Sequence, residues 1–138
     1  MKKILILCTG NSARSQMAEG LLRHITTGEY EVFSAGTQPS LVRPEAIKAL
    51  SEIGVDISGN RSKSVAEFAG EEIDFVLTVC DDAGKNCPYF PAKTRLIHHS
   101  FADPAAVAGD EETRLEAFRK VRDQLSEYLP HFISEINK

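Results

Sequence analysis

The sequence predicts an α/β fold: a single three-layer domain in which a four-stranded parallel sheet of strand order 2-1-3-4 is flanked by helices. Short apolar runs typical of strands alternate along the chain with segments of helical periodicity, the pattern of parallel strands joined by right-handed crossovers. The first run, residues 3–8, is continuously apolar, as expected for a central strand buried on both faces. With 138 residues and no linker or repeat, residues 1–138 form one domain.

Four segments have the composition of strands: residues 3–8 (KILILC), 31–34 (EVFS), 75–80 (FVLTVC) and 95–98 (RLIH). The carboxyl ends of parallel strands meet at one edge of the sheet, and ligands of doubly wound sheets bind beyond that edge. Cys8 and Cys80 both end predicted strands. We therefore expect both thiols at the ligand-binding edge.

The first two helices follow the first two strands. One begins near Ser12 and continues to residue 25, and the other covers residues 44–53. Pro44 suits the first turn of the second helix because its missing N–H has no helical partner there, and Gly54 suits its end.

Two further helices are predicted in the second half of the chain. Residues 62–68 form a short helix that Ser62 or Ser64 caps. The last helix carries apolar residues at intervals of three and four: Leu115, Phe118, Val121, Leu125, Tyr128, Phe132 and Ile136. We expect Pro130 to bend or interrupt this helix.

Composition excludes several classes of function. The net charge of -4 does not favour binding to nucleic acid or to an anionic membrane, and no apolar stretch approaches the ~18 residues of a membrane span. We expect a cytoplasmic protein that is a monomer. Its three cysteines, an odd number, favour catalysis, redox chemistry or metal binding over a disulfide framework.

The loop between the first strand and the first helix has the character of an anion site. Backbone N–H groups at a helix N-terminus attract anions, and Gly10 and Asn11 tolerate the positive φ that a tight loop needs. Arg14 can hold two oxyanion oxygens, and the same positive field favours a reactive Cys8 thiolate. The predicted substrate-binding residues are Thr9, Gly10, Asn11, Ser12, Ala13, Arg14 and Ser15.

Cys80 and Cys87 allow two interpretations. A zinc site with His98 and His99 is disfavoured, because six residues separate the cysteines and adjacent strand residues point to opposite faces. A redox role fits better. If the first and third strands are neighbours about 4.8 Å apart, Cys80 can reach Cys8 to form a disulfide, and Cys87 can then take that disulfide by exchange with Cys80.

These motifs carry a resemblance to known families. The segment from Cys8 to Ser15 resembles the signature loop of the low-molecular-weight tyrosine phosphatases. In this order and spacing, CTGNSARSQMAEG, SAGT, CDDAGKNCPYFP and FADP resemble the thioredoxin-coupled arsenate reductases over nearly the whole chain. The phosphatases lack the cysteine pair and usually carry tyrosines after their Asp-Pro, where this chain has Ala105 and Ala106. This difference favours a small inorganic oxyanion.

The resemblance implies reduction of arsenate to arsenite, with phosphate or sulfate as competing oxyanions. Cys8, Arg14, Cys80 and Cys87 are the implied catalytic residues, together with Asp103 as the acid that protonates the leaving oxygen. From the residues alone Asp103 is equally well a turn residue before Pro104, and Asp110 is a competing carboxylate. Thioredoxin, or a glutaredoxin-type reductant, is the implied partner, and no cofactor or metal is expected.

Three points stay open at the level of sequence. A low-molecular-weight tyrosine phosphatase is the first alternative, and weak phosphatase activity is expected in either case. A thiol-based arsenite or metal sensor is the second, without a basic DNA-binding segment to support it. Asn11, Glu19 and Ser34 match positions that bind potassium in some reductases, but Lys63 stands near the place of the remaining carboxylate ligand. Lys63 is either an exposed helix residue or an ammonium that pairs with Glu19, which makes potassium unnecessary.

Overall fold

The computed structural model describes residues 1–79 and 90–137. Its sheet has four parallel strands in the order 2-1-3-4, so the predicted fold class and strand order are confirmed. The elements are β1 (Lys2–Cys8), α1 (Arg14–Thr26), β2 (Tyr30–Gly36), α2 (Pro44–Ser51), a 3₁₀ turn (Val65–Phe68), β3 (Phe75–Thr78), β4 (Arg95–His98), a second 3₁₀ turn (Pro104–Ala106) and α3 (Glu111–Ile136).

The central position of β1 follows from its composition. It pairs with β2 on one side and with β3 on the other, and the side chains of residues 4–7 have no exposed surface. Because side chains alternate along a strand, Ile4, Ile6 and Cys8 face the core shared with α1 and α3, whereas Leu5 and Leu7 face a smaller opposite core. Cys8 thus ends a strand fixed by apolar packing on both sides.

The long helix α3 packs an apolar stripe against α1 and α2. Its amino-terminal part lies near the Pro104–Ala106 turn, and its carboxyl end lies beside the starts of the outer strands, where Glu135 pairs with Arg95 at 2.6 Å. Among the described residues, none of the helices is both long and apolar enough to span a membrane.

α3 continues through Pro130, so the predicted interruption is wrong, and the alternative of a bend stays a prediction. Pro130 is exposed, so the carbonyl four residues earlier, which loses its helical donor, lies where water can hydrate it. The short helix is reduced to a 3₁₀ turn, with Ser64 rather than Ser62 accepting the capping bond from Ala66 N. β3 ends at Thr78, so Val79 of the predicted third strand lies beyond its end, and Cys80 is outside the described residues.

Candidate active site

The loop after β1 lies against Gly36 at the end of β2. A Cβ atom built on Gly36 would lie 2.4 Å from the carbonyl oxygen of Thr9 and 2.9 Å from the amide nitrogen of Asn11. Only glycine permits this approach of the loop backbone to the strand. The SAGT motif therefore has a steric reason: its glycine leaves room for the loop.

The carbonyl groups of the loop are held on its outer side. Four consecutive carbonyls each accept a hydrogen bond from a donor outside the loop: Thr9 O from Gln38 N at 2.9 Å, Gly10 O from Ser62 Oγ at 2.9 Å, Asn11 O from Gln16 Nε2 at 3.2 Å, and Ser12 O from Arg43 N at 2.9 Å. In a planar trans peptide the C=O and N–H point in opposite directions, so outward carbonyls turn the following amides inward. These amides line a concave, positively polarised cradle at the N-terminus of α1.

The Cys8 thiol lies inside this cradle and is 2% exposed. The amide nitrogen of Asn11 donates to Cys8 Sγ at 3.2 Å, which agrees with the inward direction of the loop amides. Ser15 Oγ lies 2.8 Å from the same sulfur. Asn11 holds the positive φ of 47° that the sequence predicts for this part of the loop.

The direction of the Ser15 hydroxyl follows from its other partner. Asn11 Nδ2, which can only donate, lies 2.8 Å from Ser15 Oγ. Ser15 Oγ accepts there, so its single hydrogen is free to point at Cys8 Sγ. Two donors, the Asn11 amide and the Ser15 hydroxyl, therefore face the sulfur of Cys8.

Arg14 and Asp103 meet at the opening of the cradle. Arg14 is 6% exposed and Nη1 donates to the carbonyl oxygen of Phe101 at 3.2 Å, while Nη2 lies 3.8 Å from Asp103 Oδ2. Asp103 Oδ1 accepts from Ala105 N at 3.0 Å, which fixes the carboxyl group at the start of the Pro104–Ala106 turn. Asp103 therefore does cap this turn, which is one of the two roles that the sequence allows. Because the cap holds Oδ1, the other oxygen of the carboxyl group, Oδ2, faces the guanidinium of Arg14.

The competing carboxylate has a different position and role. Asp110 caps α3, and its Oδ1 accepts from Thr113 N at 2.8 Å. Hydrogen bonds from Thr113 lower the pKa of Asp110. The structure therefore groups Asp103, and not Asp110, with Arg14.

The two histidines considered as zinc ligands make other contacts. His98 bridges Thr78 Oγ1 at 2.6 Å and Ser100 Oγ at 3.0 Å, and the His99 ring packs on Tyr128 at 4.0 Å. Cys80 and Cys87 lie outside the described residues, so the predicted role of this pair remains a prediction.

Glu19 and Lys63 form the ion pair considered in the sequence analysis. Lys63 Nζ lies 3.8 Å from Glu19 Oε1, which also accepts from Ser34 Oγ at 2.9 Å. Burial lowers the pKa of Lys63, and the charge of Glu19 opposes this effect. Lys63 is therefore not a freely exposed helix residue. That the protein functions without potassium stays a prediction.

Sequence reasoning missed two residues of this region, Gln16 and Asn60. Gln16 is fully buried, and its Nε2 donates to Asn11 Oδ1 at 2.9 Å. Asn60 Nδ2 donates to Gln16 Oε1 at 3.1 Å and to Glu19 Oε2 at 3.0 Å. A sequence signal existed for Gln16, because it follows Ser15 directly and lies inside the motif CTGNSARSQMAEG.

The sequence family can now be assigned. The model of the low molecular weight phosphotyrosine protein phosphatase family matches residues 3–138. The chain belongs to this family. A curated relative from Shouchella clausii, named arsenate reductase, is 43% identical over 95% of this chain and 94% of its own length. The arsenate reductase of Bacillus subtilis is 40% identical over the same shares.

Solved structures give the same relationship. An arsenate reductase in the phosphate binding state superposes with a TM-score of 0.81 at 33% identity, and an arsenate reductase in the oxidized state with a TM-score of 0.83 at 33% identity. Each comparison covers 99% of both chains. The resemblance to the arsenate reductases within this phosphatase-like family is thereby confirmed.

Proposed function

We propose that this chain reduces arsenate to arsenite with Cys8 as the nucleophile. The observation that carries the proposal is the cradle itself, with four carbonyls tied outward, amides turned inward and the buried sulfur of Cys8 at its base. Such a cradle binds a tetrahedral oxyanion and holds its central atom near the thiolate. The names of the relatives support arsenate as that oxyanion.

Binding uses the loop amides of residues 9–15 and the guanidinium of Arg14. The contact of Arg14 Nη1 with Phe101 O keeps the planar group at the rim, where its donors can hold two oxygens of the anion. These groups also stabilise the charge that develops on the oxygens during attack. Stabilisation of this charge usually contributes more to the rate than binding of the substrate itself.

In the first step the Cys8 thiolate attacks arsenic, and an S–As bond forms while an As–O bond breaks. Asp103 donates its proton to a hydroxyl group of the arsenate, which departs as water. Its position 3.8 Å from Arg14 Nη2 supports this role, because the leaving oxygen must lie beside the oxygens that Arg14 holds.

In the second step Cys80 attacks Cys8 Sγ. The S–S bond forms, the S–As bond breaks, and its electron pair stays on arsenic, which leaves as arsenite. The hydrogen bond of Val79 N to Leu7 O at 2.9 Å supports this step, because each residue directly precedes one of the two cysteines in the chain. Cys87 then attacks Cys80 and releases the Cys8 thiolate, and an external dithiol such as thioredoxin, or a glutaredoxin-type thiol, reduces the Cys80–Cys87 disulfide.

The test of the reaction is arsenate-dependent oxidation of NADPH in the presence of thioredoxin and thioredoxin reductase. We expect steady turnover with the wild-type chain and none with Cys8→Ser, because a hydroxyl at this position is far less nucleophilic. Wild-type protein that shows no arsenate-dependent oxidation with either thioredoxin or a glutaredoxin system would refute the proposal.

The relay has a separate test in the stoichiometry of a single variant. With Cys87→Ser, one disulfide can form between Cys8 and Cys80, so about one arsenite per enzyme is released before turnover stops. Continuous turnover by Cys87→Ser with thioredoxin alone would contradict the relay while leaving the first step intact.

A second candidate is phosphatase activity, which the family and the shared cradle favour. The Pro104–Ala106 turn beside Asp103 contains no aromatic side chain to pack on an aryl phosphate. We therefore expect weak hydrolysis of p-nitrophenyl phosphate. Loss of Cys80 and Cys87 should leave this hydrolysis unchanged and abolish arsenate reduction, whereas a phosphatase would be efficient and indifferent to both cysteines in every assay.

A further inference from the structure

A continuous row of buried polar groups leads from Glu19 to the nucleophile. Gln16 Nε2 is surrounded by acceptors, namely Asn11 Oδ1 at 2.9 Å, Asn11 O at 3.2 Å and the carbonyl oxygen of Arg61 at 3.0 Å. Gln16 Oε1 faces Asn60 Nδ2 at 3.1 Å. The carboxamide of Gln16 thus has its nitrogen towards the cradle and its oxygen towards Asn60.

The order of donors and acceptors in this row begins at the Glu19 carboxylate, which accepts hydrogen bonds. Glu19 Oε2 accepts from Asn60 Nδ2 at 3.0 Å, and the cations Arg23 at 3.3 Å and Lys63 at 3.8 Å face the same carboxylate. Since Asn60 Nδ2 lies between two acceptors, its carboxamide has one favourable orientation. That orientation holds Gln16 Oε1, the carbonyls of Asn11 and Arg61 hold Gln16 Nε2, and Gln16 in turn helps to fix the Asn11 carboxamide.

Asn11 is the last carboxamide in the row. Its Oδ1 accepts from Gln16 Nε2 and from Lys63 N at 2.8 Å, so its Nδ2 must face Ser15 Oγ. If the Asn11 carboxamide turned over, the Ser15 hydroxyl would donate to Asn11 Oδ1 instead of Cys8 Sγ. Of the two donors that the described residues give the sulfur, the Asn11 backbone amide alone would then remain.

We propose that Gln16 and Asn60 are positioning residues for the nucleophile, which transmit the acceptor character of Glu19 through Asn11 so that the Ser15 hydroxyl points at Cys8 Sγ. This inference rests on the role of Cys8 under the proposed function. Neither Gln16 nor Asn60 contacts the sulfur, and both act through the orientation of Asn11.

The test is the isosteric variant Asn60→Asp, which removes the donor to Gln16 Oε1 without changing the volume of the side chain. A carboxyl group at this position lies against Glu19 Oε2, so the two acids share one proton and no donor remains for Gln16 Oε1. Gln16 Oε1 then faces an acceptor, which weakens the placement of Gln16 Nε2 on Asn11 Oδ1. The readout is the pH dependence of Cys8 alkylation by iodoacetamide, measured by mass spectrometry on the peptide that contains Cys8, so that Cys80 and Cys87 do not contribute.

We expect the midpoint of the alkylation profile to rise by about 0.5–1 pH unit in Asn60→Asp, with alkylation below the midpoint about three- to tenfold slower than in wild type. The shift is partial because Lys63 N still donates to Asn11 Oδ1. Asn60→Ala removes one donor without adding an acceptor, and its shift should be smaller than that of Asn60→Asp.

Two controls separate positioning from charge and from stability. Gly59→Asp adds a carboxylate at a neighbouring position where a Cβ meets open space, and it should leave the midpoint near that of wild type. Thr26→Val removes a buried hydrogen bond of 2.8 Å from Thr26 Oγ1 to Leu22 O at the end of α1, the helix that carries Gln16. This variant should lower the melting temperature without moving the midpoint of the alkylation profile.

An unchanged midpoint in folded Asn60→Asp, or an equal shift in Gly59→Asp, would overturn the proposal. If Asn60→Asp does not fold, the variant Gln16→Met provides the test, because it removes the donor to Asn11 Oδ1 while keeping an unbranched side chain. An unchanged midpoint in Gln16→Met would likewise overturn the proposal. Alkylation needs neither arsenate nor a reductant. A chain that fails to reduce arsenate but shows the predicted shifts therefore refutes the proposed function alone.

Discussion

The two edges of the sheet are built on different physical principles. At the carboxyl edge, Asn11, Ser15 and Gln16 are completely buried yet polar, and each is held by hydrogen bonds of defined direction. At the amino edge, the end of α3 contributes Phe132 and Ile136 to the apolar core, where contact has no direction.

This difference separates stability from reactivity. An apolar contact depends on area and volume, so its loss lowers the free energy of unfolding wherever it occurs. A hydrogen-bonded cradle depends on which atom faces which, so a substitution that keeps volume can alter the chemistry while the fold persists. Changes at the amino edge should therefore affect stability, and changes at the carboxyl edge should affect turnover.

The largest expected effect is at the amino edge. Phe132 is 1% exposed, and Phe132→Ala should lower the free energy of unfolding by about 3–5 kcal/mol through lost burial and the cavity left behind. Urea denaturation followed by circular dichroism measures this loss. At temperatures well below the melting temperature, kcat/KM of Phe132→Ala for arsenate should equal that of wild type. A large fall in kcat/KM at those temperatures would contradict the conclusion that the amino edge affects stability and not turnover.

At the carboxyl edge, Arg14→Lys should lower kcat/KM for arsenate by about 10²–10³, because an ammonium cannot hold two oxygens at once. Steady-state kinetics with thioredoxin measures the fall. The matched control is Arg95→Lys at the other edge, where the arginine pairs with Glu135, and it should leave kcat/KM unchanged. Equal kinetic effects of the two variants would contradict the assignment of Arg14.

A somewhat smaller kinetic effect is expected for Asp103→Asn. Without a proton donor for the leaving oxygen, kcat should fall by about a hundredfold, while KM changes less because Arg14 and the loop amides remain. Asp110→Asn is the control, since Asp110 caps α3 and should affect the melting temperature rather than kcat. A normal kcat in Asp103→Asn would assign the acid to another group.

The central strand and the position of the loop after it are easier to predict from sequence than the hydrogen bonds around that loop. The unbroken run in β1 placed that strand at the centre of the sheet, and the spacing of Cys8 and Arg14 located the cradle. Local patterns suffice there because strand burial and a strand-to-helix loop depend on neighbours in sequence. Pro130 does not interrupt α3, because its effect depends on exposure, which the periodicity of the helix does not reveal.

The hydrogen-bonded row could not be predicted in the same way. Asn60 and Gln16 are 44 residues apart in sequence and meet only because the loop before the Val65–Phe68 turn folds over the start of α1. A carboxamide has no periodic signal, and its orientation depends on partners that only the fold supplies. Sequence patterns therefore find Asn11 and Ser15 in the loop but miss Gln16 and Asn60, which help to fix their directions.

The smallest expected effect belongs to an exposed network that links α2 to α3. Arg119 Nη2 lies 2.7 Å from Glu52 Oε2 and Arg122 Nη1 lies 2.9 Å from Glu52 Oε1. Hydrogen bonds from Arg119 and then from Arg122 lower the pKa of Glu52 from 4.5 to about 2.

Because the pKa of Glu52 is lowered in the folded state, its contribution to stability is complete above pH 4.5 and is lost as the pH falls towards 2. Glu52→Gln should therefore melt slightly below wild type at neutral pH, and the two melting temperatures should converge as the pH approaches 2. Glu116→Gln, which removes a single exposed contact with Arg119, is the control and should show a still smaller difference. A difference for Glu52→Gln that persists near pH 2 would mean that the side chain acts through packing, as at the amino edge, rather than through its charge.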